Sequence, residues 1–133
     1  MTRIPPIAPF DLPNASPSEY EALHRFTTRM RLEMMPDDPP TPLAVAMRAW
    51  RVRTPLVSSK VWLASSEDGR EVLARGQMSH PNTEENRHAA QFSIQVLPEM
   101  RRQGLGRRLL TRIAEAARLA SRTLLITETS GRI

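Results

Sequence analysis

Between positions 20 and 34, Tyr20, Leu23, Phe26 or Thr27, Met30 and Met34 recur at three- and four-residue spacing. This spacing predicts an amphipathic helix that stops before Pro36. Its start is encoded by Ser16-Pro17-Ser18-Glu19, with serine as N-cap, proline at the first helical position and glutamate three residues after the cap, which makes a capping box. A second helix is predicted from about Pro42 to Arg51 with Leu43, Ala46, Met47 and Trp50 facing inward, and Thr41-Pro42 repeats the cap-plus-proline device without the glutamate. Met34-Met35-Pro36-Asp37-Asp38-Pro39-Pro40 between the helices reads as a stiff acidic loop. The opening segment Ile4 to Pro9 is restricted to an edge strand or an extended arm, because its prolines cannot donate to a central ladder.

After residue 59 the period changes from helical to alternating. Lys60 to Ser65 and Glu71 to Met78 are strand-like, and the Asp68-Gly69 pair between them signals a hairpin. Pro81 to Arg87 is polar enough to be a connecting loop. The next strand, from about His88 to Val96, puts Phe92, Ile94 and Val96 on one face and Gln91, Ser93 and Gln95 on the other. From about Gly104 to Ser121 a helix carries Leu105, Leu109, Leu110, Ile113, Ala116 or Ala117, and Ala120 on one stripe. Arg108, Arg112, Glu115, Arg118 and Arg122 keep to its wetter side. The apolar run Thr123 to Thr127 suits a buried parallel strand after a crossover helix. The resulting order is β-α-α-β-β-β-α-β, a mixed α/β (α+β) sheet flanked by helices. Neither a repeat nor a second core is visible, so residues 1–133 are expected to form one domain.

Composition narrows the chemistry. A chain of 133 residues can bury roughly two thirds of its unfolded surface. The absence of cysteine removes disulfides, thiolate metal sites and a cysteine nucleophile together. No apolar run approaches the ~20 residues needed to cross a bilayer, and the start lacks the apolar stretch of a secretion signal. A cytoplasmic protein with no membrane partner is therefore expected. Basic residues number 19 against 14 acidic, for a net charge of +5, and all but Lys60 are arginine. Arginine suits phosphate recognition because its planar fork donates two hydrogen bonds at once. Either nucleic acid or a phosphorylated cofactor fits such a surface, but few aromatics stand near the basic turn to stack bases, which disfavours nucleic acid.

The chemistry concentrates where the last long strand ends. In Val96-Leu97-Pro98-Glu99-Met100-Arg101-Arg102-Gln103-Gly104-Leu105-Gly106-Arg107-Arg108-Leu109-Leu110, a strand stops at proline, an Arg-rich turn with two glycines follows, and a helix begins. A helix start exposes N–H groups with no intrahelical partner and carries partial positive charge, so an anion there satisfies both. Gly104 and Gly106 let a phosphate approach the backbone. Arg101, Arg102, Arg107 and Arg108 surround the same point with charge-assisted donors.

This stretch closely resembles the acyl-CoA motif of the GNAT superfamily of N-acyltransferases. The motif's pattern of Arg or Gln, two residues, Gly, one residue, and Gly or Ala is met by Arg101, Gly104 and Gly106. The resemblance implies a GNAT-like sheet and transfer of an acetyl group from acetyl-CoA, with no metal, to a small-molecule or peptide amine that attacks directly. Ile94, Gln95 and Val96 would pair with pantetheine. Arg101, Arg102, Gln103, Gly104, Leu105, Gly106 and Arg107 would form the pyrophosphate site, and the Val96 N–H would stabilise the oxyanion. Glu128 at the end of the fifth strand is the candidate general base, with His80 and His88 as further titratable groups. The family's usual acid, a tyrosine, belongs to a later helix, and Tyr20, the single tyrosine, is expected in the core. The acceptor pocket would be shaped by the first two helices, where Asp37 and Asp38 could attract an amine and Met30, Met34, Met35 and Trp50 could line a pocket or fill core.

The resemblance runs from the opening arm through the fifth strand, whereas the family continues further. It implies a domain incomplete at its C-terminus, truncated after the fifth strand: first of all a fragment, or else a chain whose missing part comes from another, such as a second GNAT domain or a homodimer, or a reduced fold. The helix pair with its Met-Pro-Asp-Asp-Pro-Pro loop also resembles the first domain of tandem GNAT proteins. The alternative is a non-catalytic module of the same fold that binds CoA or a protein partner.

Overall fold

In the computed structural model, which describes residues 5–52, 56–82 and 88–127, the first long helix α1 (Pro17–Met34) starts as its sequence requires. Ser16 Oγ accepts from the Glu19 N–H at 3.2 Å and the Ser16 N–H donates to Glu19 Oε1 at 2.9 Å, a complete capping box. Before it comes β1 (Ile7–Phe10) and a 3-10 turn over Leu12–Asn14. After it comes α2 (Leu43–Arg51), with Pro42 and not Thr41 at the N-cap position and no side-chain cap. Thr41 is used otherwise: its hydroxyl accepts from Arg31 Nη1 at 2.9 Å and its carbonyl lies 2.7 Å from His24 Nε2, which ties the interhelical loop back onto α1.

Next in the chain are β2 (Val57–Ser65), β3 (Val72–Pro81), β4 (Ala89–Val96), a 3-10 turn over Pro98–Met100, α3 (Leu105–Leu119) and β5 (Leu124–Thr127). The sheet order is β1-β2-β3-β4-β5. Its first three pairings are antiparallel, and β5 runs parallel to β4 across α3. The proline-bearing β1 takes an edge, as its missing donors demand. The β2–β3 hairpin runs longer than its alternation indicated, because the register continues to Val57↔Pro81 and the Asn82 N–H closes on the Leu56 carbonyl at 2.8 Å. Its turn uses Gly69 at φ 72, a left-handed conformation that favours glycine.

The sheet divides two apolar clusters. On one face α3 lays Leu105, Leu109, Ile113, Ala116 and Ala117 against Trp62, Ala64, Ala74, Met78 and Ala90. On the other, α1 lays Ala22, Leu23, Phe26 and Met30 against Val61, Leu63, Val72 and Leu97. Leu110, expected on the α3 stripe, is 40% exposed. It stands one helical step from Leu109, about 100° round the axis, and the stripe is too narrow to take both. No helix among the described residues is long and apolar enough to cross a membrane.

The seat of α3 depends on a missing side chain. A Cβ on Gly76 in β3 would lie 3.1 Å from Leu109 Cδ2, 3.3 Å from Leu109 Cβ and 3.4 Å from Ile113 Cδ1. Both helix residues are fully buried, so they have little room to retreat. Gly76→Val is expected to destabilise the fold by about 1–3 kcal/mol through overpacking, read as a lowered midpoint in urea unfolding. An unchanged midpoint would mean that α3 sits less closely than described.

Candidate functional site

Hydrogen bonds in an antiparallel pair alternate, so one bond sets the phase for a whole strand. The Leu97 N–H donates to the Leu73 carbonyl at 3.0 Å. Two and four residues back, Gln95 and Ser93 therefore turn their main-chain groups to Arg75 and Gln77 of β3. Ile94 and Val96 turn theirs away from β3. On that side β5 pairs with β4 from Ala89 to Phe92 in the described residues, short of both. The end of β4 thus presents the Ile94 and Val96 amides outward, and the Val96 carbonyl accepts from Arg101 Nε at 3.1 Å.

The turn beyond aims further donors at the same end of the sheet. Gln103 Nε2 reaches the Glu99 carbonyl at 3.4 Å. Arg102 holds φ 65 and Gly104 φ 85, ψ 4, both left-handed. No side chain caps α3, so the N–H groups of Leu105, Gly106 and Arg107 have none to satisfy them. The first helical bond runs from Arg108 to the Gly104 carbonyl at 3.1 Å. A Cβ on Gly106 would touch only Ile94 Cγ2, at 4.0 Å, which leaves the surface of this first turn open. Leu105 is buried in the core and offers only its N–H, whereas Arg102 and Arg107 are exposed on either side. Arg108 turns away to donate to the Pro5 carbonyl at 3.2 Å. The rest is a ring of donors fitted to a polyanion.

Helix α1 holds this turn from the other face of the sheet. Arg29 pairs doubly with Glu99, at 2.5 and 2.6 Å, and Glu33 takes Arg101 Nη2 at 2.7 Å. The Arg29 guanidinium keeps the Glu99 carboxyl below its ordinary value. One residue on from Glu33, the Met34 sulfur lies 4.0 Å from Gln95 Nε2. Glu33 is thereby brought to the end of β4 through Arg101, a placement the sequence reading did not single out. Its trace in the sequence is reciprocal charge: Arg29 and Glu33, four apart on one helix face, oppose Glu99 and Arg101.

On the face that carries α1 and α2, Phe10, Asp11, Trp50, Lys60, Arg75 and Gln77 are among the residues that line a cavity of about 710 Å³. Trp50 stacks on Tyr20 at 5.9 Å between centroids. Tyr20 itself is fully buried and donates to the Leu12 carbonyl at 2.7 Å, so it is core as expected. Met30 is core too, Met34 is half-buried above Gln95, and Met35 is exposed. Asp37 and Asp38 are exposed, and Asp38 lies 3.8 Å from Arg31. Arg75 went unnoticed in the sequence reading, although a charge in mid-strand, between Leu73 and Gln77, was its signal.

The other titratable candidates lie apart from this end of β4. Ala74 faces Val96, and His80 lies six residues further along β3, about 20 Å away. Burial, with the Arg122 and Lys60 cations nearby, holds His80 below its ordinary value. His88 precedes β4, about 26 Å from Val96 along the strand. Glu128 lies outside the described residues. Among the described residues, no three His, Cys, Asp or Glu side chains stand together as a metal site would require.

The sequence pattern of the acetyltransferase (GNAT) domain matches residues 58–132, more than half of the chain. No curated protein matches the sequence. Among solved structures, a tandem GNAT protein from the clavulanic acid biosynthesis pathway superposes with a TM-score of 0.69 at 21% identity. That likeness covers 88% of this chain and 34% of that protein, so the chain spans about a third of its length. A Salmonella typhimurium protein described as an acetyltransferase, solved with its cofactor acetyl-CoA, gives 0.68 at 19% identity over 95% of this chain and 69% of its own. A ribosomal-protein-alanine N-acetyltransferase from Brucella melitensis gives 0.66 at 22% identity over 92% and 72%. At these identities the structural likeness speaks for the fold.

Gly104 is required by conformation and not by space, since nothing lies within 4 Å of where its Cβ would stand. Gly104→Ala is expected to cost about 1–2 kcal/mol by placing an L-residue in the left-handed region, measured by urea unfolding. Full stability in that variant would show that the turn reaches α3 by another path.

Proposed function

Because the chain belongs to the GNAT acetyltransferase family, we propose that it binds acetyl-CoA across the end of β4 and the start of α3 and transfers the acetyl group to a primary amine. The observation that carries this reading is the uncapped start of α3, entered through left-handed Gly104, beside the outward Ile94 and Val96 amides. When bound, acetyl-CoA supplies the acetyl group as a thioester. The N–H groups of Leu105, Gly106 and Arg107, with the Arg102 and Arg107 side chains, hold the pyrophosphate. Gln103 shapes the turn, and Arg101, clasped between Glu33 and Val96, sets its angle while adding positive charge. The Ile94 main chain takes the pantetheine amides, and the Gln95 side chain borders the arm on the α1 side. The Val96 N–H donates to the thioester carbonyl oxygen where negative charge develops as the amine attacks. These amides are already ordered by strand and helix, so little entropy is lost on binding. We assign the proton of the attacking amine to Glu128, just past β5. A second GNAT domain or a second copy of the chain as partner belongs to the same reading, and Ile126, 42% exposed on the outer strand, supports it.

One observation favours a second reading, a module that binds CoA without turnover. Glu33, a carboxylate that the described residues tie to the end of β4, is engaged by Arg101 in an ion pair at 2.7 Å instead of standing open to an amine. The two readings separate on whether CoA binding is accompanied by release of free thiol with any amine.

Calorimetric titration of the chain with acetyl-CoA is expected to show binding that weakens as salt is raised. Gly106→Glu is expected to abolish it. A glutamate in the first turn of a helix favours the helix and has room here, so loss of binding with an unchanged melting temperature marks the pyrophosphate site, while retained affinity would refute it. Glu128→Gln is expected to lower kcat by roughly 10²- to 10⁴-fold with KM for acetyl-CoA unchanged, in a thiol-release assay. An unaltered kcat would remove Glu128 from the mechanism.

A further inference from the structure

Arg101 joins two oxygens through one guanidinium. Its Nε donates to the Val96 carbonyl at 3.1 Å and its Nη2 to Glu33 Oε1 at 2.7 Å. Delocalised C–N bonds of about 1.33 Å set the two nitrogens about 2.3 Å apart, so the carboxylate oxygen lies within about 8 Å of the carbonyl oxygen. Val96 turns its main chain away from β3, and within a strand residue the N–H and carbonyl point to the same side. The carbonyl that Arg101 takes is therefore next to the N–H assigned to the thioester.

A cation held between a carboxylate and a strand carbonyl is what an acceptor amine also needs. An ammonium has three N–H donors and no acceptor, and two of them match these two oxygens. Arg101 occupies that place as part of the chain itself. Its hold on Glu33 is weak, because both side chains are partly exposed and such pairs add little. The hold is also contested. Arg101 opens the Arg-rich turn that leads into the start of α3, and a pyrophosphate there carries more negative charge than one carboxylate and accepts the arginine fork. Arg29 meets Glu99 through two nitrogens and two oxygens, at 2.5 and 2.6 Å, so α1 stays tied to the turn when Arg101 lets go.

Resting on the acetyltransferase reading above, we propose that Glu33 and the Val96 carbonyl form the ammonium subsite of the acceptor, and that Arg101 fills it until the cofactor pyrophosphate draws the guanidinium away. The acceptor's ammonium then takes both oxygens, with its nitrogen beside the thioester carbonyl. Its proton passes to Glu128 before the nitrogen attacks. Binding is thereby ordered, cofactor first and amine second. The subsite selects aliphatic amines, which are cationic near neutrality, over aromatic amines, which are not.

Glu33→Gln separates this role from simple bracing of the turn. Glu33 competes with the cofactor for Arg101, so its loss is expected to tighten CoA about two- to fivefold in calorimetry, the worth of an exposed ion pair, whereas loss of a brace would weaken CoA. In an Arg101→Gln background the same change is expected to leave CoA affinity unaltered. For the acceptor, propylammonium is followed by ligand-detected NMR, with CoA as the cofactor so that no turnover occurs. It is expected to bind the CoA-saturated chain about tenfold more tightly than the chain alone, with the gain abolished in Glu33→Gln and absent for aniline. CoA affinity that falls or stays level in Glu33→Gln overturns the competition. Propylammonium binding that is absent, or indifferent to CoA or to Glu33, overturns the subsite. Either result with CoA still bound removes this inference alone, and failure of the unaltered chain to bind CoA removes the acetyltransferase reading beneath it.

Discussion

Leu109 and Ile113 of α3 close on the bare backbone of Gly76, and every other feature of the site depends on that contact. It sets the height of α3 above the sheet. A Cβ on Gly106 of α3 would lie 4.0 Å from Ile94 Cγ2 of β4 in the same geometry, so the open first turn of the helix stands above the strand whose amides face outward. A larger residue at 76 would lift the helix, and the donors at its start would no longer share one ligand with β4. Close packing leaves the helix no alternative seat, since interiors yield little to added volume.

Charge then orients what packing has brought together. The Arg29–Glu99 and Glu33–Arg101 pairs are partly exposed, and pairs of that kind add little to stability. Their effect is geometric. They tie successive turns of α1 to alternate residues of the turn after β4, so the Arg-rich segment cannot rotate freely about its 3-10 turn. Arginines that look equivalent in the sequence are thereby sorted by task. Arg29 and Arg101 brace the turn, and Arg108 secures the chain before β1 through Pro5. Arg102 and Arg107 remain exposed beside the helix start, and Arg75 stands apart, half-buried in mid-sheet on the α1 face.

The two faces of the sheet divide the labour. The α3 face is apolar from Trp62 to Ala90. The α1 face is apolar only near its helix and turns polar at the half-buried Arg75, Gln77 and Gln95. Polar positions on a covered face lose hydration without gaining apolar contacts. Their occurrence beside a cavity is where a ligand would restore what they lose.

Local rules made much of this legible. The capping box of α1, the Asp68-Gly69 hairpin, the alternation of β4 and the stripe of α3 each follow from interactions within a few residues, and all the elements formed in the expected order. The glycine turn was readable too, because φ above zero and an uncapped helix start are properties of the local backbone. Thr41 and Leu110 departed from expectation for the opposite reason. A cap competes with distant partners such as Arg31 and His24, and a stripe is only as wide as the surface that meets it. The chain by itself determined its elements, its fold class and the motif at the end of β4. Only the tertiary structure decided that Glu33 meets Arg101, that His80 lies far from Val96 and that Arg75 lines a cavity together with Phe10 and Asp11, because those facts depend on register between strands and on which distant segments packing brings together.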